Sequence, residues 1–253
     1  VERFAQDAVN KGVRIHFETI GNGWPLVLHH GLGGSGSDWI DLGYADALKD
    51  GHQVILVDGR GHGQNDKLHD TSAYDLAIRA SDVVAVLDTL GHRTSDYFGY
   101  SLGGNTGYGL ARYSPERISA FVIGGAHPYA ENLQPFRDLV PQDQAAWAAT
   151  VDKVFGSLVP PAWRDRLVAN DLAALRAMTS RDRQSIADDV LPRMSMPCLL
   201  FAGETDPRLE AVRECASHLT NVTLFTLPGC DHIGTFAQTE IIIPRVRDQV
   251  ARA

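Results

Sequence analysis

Tyr97-Phe98-Gly99-Tyr100-Ser101-Leu102-Gly103-Gly104 is the stretch that decides the fold. It sets a serine between glycines where an extended segment, Ser95 to Tyr100, gives way to a helix-compatible one, Leu102 to Tyr113. A strand that turns sharply into a helix forces the corner residue into a strained backbone conformation. It leaves no room for a side chain two positions to either side. Glycine at 99 and 103 meets that demand and makes Ser101 a candidate nucleophile. Gly-x-Ser-x-Gly by itself is short enough to arise by chance as a Gly-Ser turn, so the strand, turn and helix around it carry the reading.

A serine hydroxyl is a poor nucleophile near neutral pH and needs a base within hydrogen-bond reach, itself oriented by an acid. The acid candidate is Asp206 in Phe201-Ala202-Gly203-Glu204-Thr205-Asp206-Pro207, just past an apolar strand; Glu204 is the fallback. An Asp before Pro is also a common turn or cap. The base candidate is His232 in Leu227-Pro228-Gly229-Cys230-Asp231-His232, beyond the next strand. Serine, aspartate and histidine in that chain order, each at a strand exit, form the order expected of a hydrolase built on such a sheet.

Acyl transfer also needs N–H donors for the oxyanion. The Leu102 amide, directly after the serine, is one; the loop His29-His30-Gly31-Leu32-Gly33-Gly34-Ser35-Gly36 offers the other. Gly31, Gly33 and Gly36 also match G-x-G-x-x-G, with Asp58 roughly 20 residues on, which is the pattern of a dinucleotide site. The loop lacks the Lys-Ser/Thr ending of a phosphate loop, and a dinucleotide reading leaves the elbow, Asp206 and His232 unexplained.

The remaining chain supplies the scaffold. Alternation in Val13 to Phe17 predicts a strand exposed on one face, and the short apolar runs Pro25 to Leu28, Val54 to Val57, Ala120 to Gly124, Cys198 to Ala202 and Val222 to Leu227 predict buried ones. Helices are expected over Ser37 to Lys49, Ala73 to Leu90 and Glu240 to Ala251, with Pro244 in the early turns of the last. Strands alternating with helices imply an α/β fold, a mostly parallel sheet covered on both faces. Residues 128–196 break the alternation. They are too long for a crossover and rich in Ala, Arg and Asp. They read as short helices inserted above the sheet as a lid, interrupted at Pro160-Pro161 and apolar beneath through Trp147, Phe155, Leu158, Trp163, Leu167 and Leu172. The core is then 1–127 plus 197–253.

These motifs, taken together, resemble the α/β-hydrolase fold family, in its group of lid-bearing serine hydrolases that includes carboxylesterases and enol-lactonases. The resemblance runs through His30-Gly31-Leu32, Asp58-Gly59-Arg60-Gly61-His62-Gly63, the Gly99 to Gly104 elbow, Gly203 to Asp206, and Asp231-His232. It implies Ser101 as nucleophile, Asp206 as acid, His232 as base, and the Leu32 and Leu102 amides as oxyanion donors. The Asp58 to Gly63 turn resembles a structural element. Haloalkane dehalogenases and epoxide hydrolases of this fold are expected to carry aspartate where this chain has Ser101, so those reactions are set aside. Pocket candidates are His30, Trp39, His127, Tyr129 and Ile233, with Trp39 also read as packing the first helix.

The expected function is a carboxylesterase acting on small-molecule esters through an acyl-enzyme, without cofactor or metal. Alternatives sharing the same residues are an enol-lactonase or carbon-carbon bond hydrolase, and a ligand-sensing relative of low turnover. A net charge of −8 with no basic block argues against a nucleic-acid partner. No apolar run approaches the roughly 20 residues of a membrane span, and no signal-peptide pattern opens the chain. Cys198, Cys215 and Cys230 form an odd, sparse set read as packing residues of a reducing compartment. The expectation is a cytoplasmic monomer or homodimer with neither membrane nor nucleic-acid partners.

Overall fold

A computed structural model describes residues 2–156 and 159–250. Its centre is an eight-stranded sheet in the order β1-β2-β4-β3-β5-β6-β7-β8. The strands are β1 (Arg3–Asn10), β2 (Val13–Ile20), β3 (Trp24–His29), β4 (His52–Val57), β5 (Ser95–Tyr100), β6 (Ile118–Gly124), β7 (Cys198–Gly203) and β8 (Val222–Leu227). β1 and β2 form an antiparallel hairpin, β2 pairs antiparallel with β4, and from β4 to β8 every neighbour is parallel. The apolar runs of β3, β4, β6 and β7 lie inside the sheet, and β5 and β7 are buried along their whole length. Val222–Leu227, expected to be buried, is instead the edge strand β8, which has a neighbour on one side alone and buries only Leu227. β1 lies at the other sheet edge and buries only Ala8. Its sequence RFAQDAVN has no apolar alternation, which is why the sequence gives no sign of it.

Successive residues of a strand point to opposite faces, and the two cores follow that alternation. Val27, Tyr97, Phe121 and Leu200 pack against α3 (Leu76–Thr89), α4 (Leu102–Tyr113) and α10 (Leu209–Ser217). Leu26, Leu28, Phe98, Val122 and Phe201 pack on the other face against α1 (Gly36–Asp41), α2 (Tyr44–Leu48) and α12 (Thr239–Val250). The single helix expected over 37–49 is split into α1 and α2 at Gly43, whose φ of 78° is left-handed. The helix expected from Ala73 starts at Leu76, after a short 3-10 turn over Thr71–Tyr74. Pro244 sits inside α12, as its sixth residue.

Between β6 and β7 the chain forms α5 (Gln134–Leu139), α6 (Gln144–Val154), α7 (Pro161–Val168), α8 (Leu172–Thr179) and α9 (Ala187–Val190). Pro160 caps α7 and Pro161 opens it, as a proline at the first helical position can without losing a hydrogen bond. Trp147, Trp163, Leu167 and Leu172 turn inward, whereas Leu158 lies outside the described residues. The two ends of this insertion are stitched together by a pair of backbone hydrogen bonds between Glu131 and Arg183. The three cysteines are free thiols; Cys198 and Cys215 are buried, and burial pushes the Cys215 thiol up to about 11. No helix among the described residues is long and apolar enough to cross a membrane.

Candidate functional site

Ser101 stands at the carboxyl end of β5, where the backbone turns into α4 with φ 54° and ψ −108°. A left-handed φ at a residue with a β-carbon is strained and persists only where its surroundings enforce it. Here they do. A β-carbon on Gly99 would stand 2.5 Å from the Gly103 carbonyl, and one on Gly103 would stand 2.0 Å from the His29 oxygen. The strand and helix therefore pack at a separation only glycine permits. Ser101 N–H donates to the Gly124 oxygen at 2.8 Å, and the Ser101 carbonyl accepts from Asn105 N–H at 2.9 Å, fixing the corner from both sides.

His232 opens α11 (His232–Phe236), a short helix capped by the Asp231 side chain, which accepts from Gly234 N–H at 2.7 Å. Its Nε2 lies 2.9 Å from Ser101 Oγ and its Nδ1 2.6 Å from Asp206 Oδ2. The Tyr100 ring lies tilted beside the imidazole, and its hydroxyl donates to the His232 carbonyl. Asp206 is itself oriented by Arg208 N–H, which donates to Oδ1 at 3.0 Å. Burial by itself would raise the Asp206 carboxyl. The hydrogen bond and charge of His232, with the Arg208 N–H and guanidinium, outweigh it and hold the group below the usual carboxylate range.

The loop from His29 to Gly36 is held by histidines. His30 Nδ1 donates to the Gly31 carbonyl at 2.7 Å while Nε2 accepts from Gly59 N–H at 2.9 Å. His62 Nε2 accepts from Gly33 N–H at 2.9 Å and Nδ1 donates to the Arg60 carbonyl at 3.1 Å. Burial, reinforced by neighbouring His30, pushes His62 down to about 3, so it remains a neutral acceptor. Asp58, the acid of the rival dinucleotide pattern, is consumed by Gly36 N–H and Gln64 N–H at 2.8 and 2.7 Å. Among the described residues, neither Leu32 N–H nor Leu102 N–H has a hydrogen-bond acceptor. Leu102 is the first residue of α4, whose leading amides have no intrahelical partner.

Two cavities meet at Ser101 and share Leu32 and Phe136 in their walls. One, about 130 Å³, is apolar, roofed by Trp147, Trp163 and Leu175 and bordered by His232 and Ile233. The other, about 270 Å³, extends past Leu102 and Asn105 to a group of arginines. Of the expected pocket residues, Ile233 lines the apolar cavity. His30 and Trp39 line neither: the His30 ring is spent bridging two loops, and Trp39 packs edge-on between Tyr44, Phe98 and Phe236 in the core. His127 and Tyr129 also lie outside both walls, their rings 5.9 Å apart and Tyr129 against the α4 and α10 core.

An ion-pair chain that the sequence does not announce supports Asp206 from behind. Arg183 pairs with Glu131 Oε2, and Glu131 Oε1 accepts from Arg208 Nε at 2.6 Å. The Arg208 guanidinium also lies over the Phe136 ring, 5.2 Å from its centroid. Two ends of the insertion are thereby tied to the residue that positions the acid. The members lie far apart in sequence, and charged residues in a polar insertion read as solvated faces.

A family model described as alpha/beta hydrolase fold matches residues 25–184. The chain belongs to the α/β-hydrolase fold family. It is similar to a non-heme chloroperoxidase of Streptomyces lividans, 26% identical over 92% of this chain and 94% of that one. It is also similar to a putative carbamate hydrolase RutD of Variovorax paradoxus, 29% identical over 94% and 96%. The esterase RhEst1 of Rhodococcus sp. ECU1013 shares the fold with a TM-score of 0.84 at 23% identity, over 98% of each chain. The protein is thus a hydrolase-fold enzyme whose relatives differ in what they act upon.

Proposed function

We propose that this protein is a serine hydrolase that cleaves carboxylic esters of small molecules through an acyl-enzyme. His232 Nε2 takes the Ser101 proton as Oγ attacks the ester carbonyl, and Asp206 holds the imidazole and stabilises its positive form. The oxyanion is received by the free Leu32 and Leu102 N–H groups, donors that need no reorganisation as charge develops. His232 then returns the proton to the departing alcohol oxygen. Water activated by the same imidazole attacks the acyl-enzyme and releases the acid and Ser101. Residues 128–196 act as a lid, supplying the apolar roof that receives the less polar part of the ester.

The observation that supports this reading most is the unbroken line Asp206–His232–Ser101, at 2.6 and 2.9 Å, beside two unpartnered amides. The test is steady-state hydrolysis of p-nitrophenyl butyrate. Ser101→Ala is expected to lose about 10³-fold or more in kcat, the scale on which such residues act together, with its thermal transition retained. A rate within a few-fold of the parent protein would refute the assignment.

A further inference from the structure

The larger cavity has a buried guanidinium, Arg79, in its wall. Arg79 projects from α3. Its Nε donates to the Tyr74 carbonyl at 3.0 Å, Nη1 to Thr106 Oγ1 at 2.8 Å and Nη2 to Asn105 Oδ1 at 2.7 Å. All three acceptors are neutral, and among the described residues Arg79 forms no ion pair. The other arginines of that wall are paired: Arg183 with Glu131, Arg112 with Asp189, Arg181 with Asp75 at 4.0 Å. Burial, then the repulsion of Arg183, lowers the Arg79 guanidinium to about 9. Removing a charge from water without a partner costs several kcal/mol, so an unpaired guanidinium facing a cavity calls for an anion. Asp75 and Asp182 line the same wall, Asp75 against Arg181 and Asp182 against Arg137, so arginines outnumber acids there in a chain that carries −8 overall.

The cavities also differ in their relation to the base. His232 borders the apolar cavity and not the arginine cavity. The oxygen that leaves must receive its proton from His232 Nε2, so the alcohol lies in the apolar cavity under Trp147 and Trp163. The acyl group then runs the other way, over Leu102 and along α4 to Asn105, one helical turn from Ser101. Residues four apart on a helix are about 6 Å apart, which sets the reach from carbonyl to guanidinium at a short chain.

We infer that the arginine cavity is an acyl subsite for a carboxylate, and that the preferred substrates are monoesters of short dicarboxylic acids with an apolar alcohol. This rests on the Ser101 ester-cleaving reading above. Ser101 attacks the ester carbonyl, the alcohol departs with the His232 proton, and the acyl-enzyme keeps its free carboxylate on Arg79. Water cleaves that ester in turn and releases the diacid.

The test compares phenyl hydrogen glutarate with phenyl pentanoate, esters alike except for the terminal carboxylate. The expected ratio of kcat/KM favours the acidic ester by about tenfold or more, the scale of one charge-assisted pair. Arg79→Met should collapse that ratio by at least about tenfold, with Arg79→Lys recovering part of it. A ratio unchanged while both rates fall would make Arg79 a clasp between α3 and α4 and overturn the proposal. Glutarate binding to Ser101→Ala protein, measured by calorimetry, is read without any turnover. Binding that is abolished by adding Arg79→Met supports the subsite even where no ester is cleaved. Ser101-dependent cleavage of both esters at equal efficiency, without glutarate binding, overturns the subsite and leaves the ester-hydrolase reading standing. If Arg79→Met does not fold, Arg181→Glu at the exposed mouth should still lower the ratio several-fold, and an unchanged ratio counts against the subsite.

Discussion

The turn between β5 and α4 and the helices between β6 and β7 both border Ser101, yet they are specified in different ways. At the turn, position is enforced by backbone: Gly99 and Gly103 stand where any β-carbon would overlap main-chain atoms, and a strained serine results. In the insertion, position is enforced by side chains: short helices set Trp147, Trp163 and Leu175 above the cavity, and salt bridges tie their ends to Arg208. Backbone packing has one solution, whereas a roof of side chains has many. The position of Ser101 is therefore fixed by the first region, and the shape of the cavity above it is open to change through the second.

The largest expected effect falls on the backbone region. Gly103→Ala puts a methyl 2.0 Å from the His29 oxygen, between β3 and α4, where neither can move alone. Loss of more than about 4 kcal/mol is expected, read as failure to accumulate folded protein or a collapse in Tm. A well-folded, active variant would show that the turn tolerates repacking and would erase the contrast.

Trp147→Ala tests the other side. Trp147 is buried and its Nε1 donates to the Leu167 carbonyl at 2.7 Å, so truncation opens the roof and frees α7 from α6. A loss of about 3 kcal/mol in stability is expected. KM for esters of apolar alcohols should rise several-fold more than kcat falls, because the roof binds substrate and transition state alike. A fall in kcat at constant KM would place this roof in the chemistry instead.

The smallest effect sharpens the comparison within one strand. Asp96 lies in β5, five residues before Ser101, fully buried; neither oxygen has a hydrogen bond of ordinary geometry. Burial pushes its carboxyl up to about 7, against weaker pulls from the Trp24 side chain and the Ala120 N–H. The folded protein then holds a proton that the unfolded chain releases above 3.8, so stability falls as pH rises from about 4 to about 7. Asp96→Asn removes the penalty. It should be nearly neutral at pH 4 and the more stable protein at pH 8, measured by urea unfolding. A difference constant across pH would show that Asp96 does not titrate in this window.

What the sequence disclosed follows the same division. β5, α4 and β8 run over the residues expected of them, because their signals are local: an apolar strand, glycines at fixed offsets, a helix behind. The elbow, Asp206 and His232 were legible for that reason, each at the end of a strand. β1 was hidden because an exposed edge strand shows no apolar pattern. The helix break at Gly43 depends on one left-handed residue. The sequence suggested His30 and Trp39 for the pocket because they neighbour the loop in sequence, although one binds backbone and the other fills the core. Arg79 did carry a signal: it stands three residues from Leu76 and four from Val83, on the apolar side of α3, where a solvated arginine does not belong. The chain Arg183–Glu131–Arg208 carried none, since its members meet only once the insertion has folded.

The most direct test of Ser101 as nucleophile is a rapid-mixing experiment with p-nitrophenyl acetate, followed by acid quench and mass analysis of the peptides. One equivalent of p-nitrophenol released per site in an initial burst, with an acetyl group on the peptide carrying Ser101, is the predicted result. Turnover with no burst and no modified Ser101 peptide, persisting in Ser101→Ala, would contradict it.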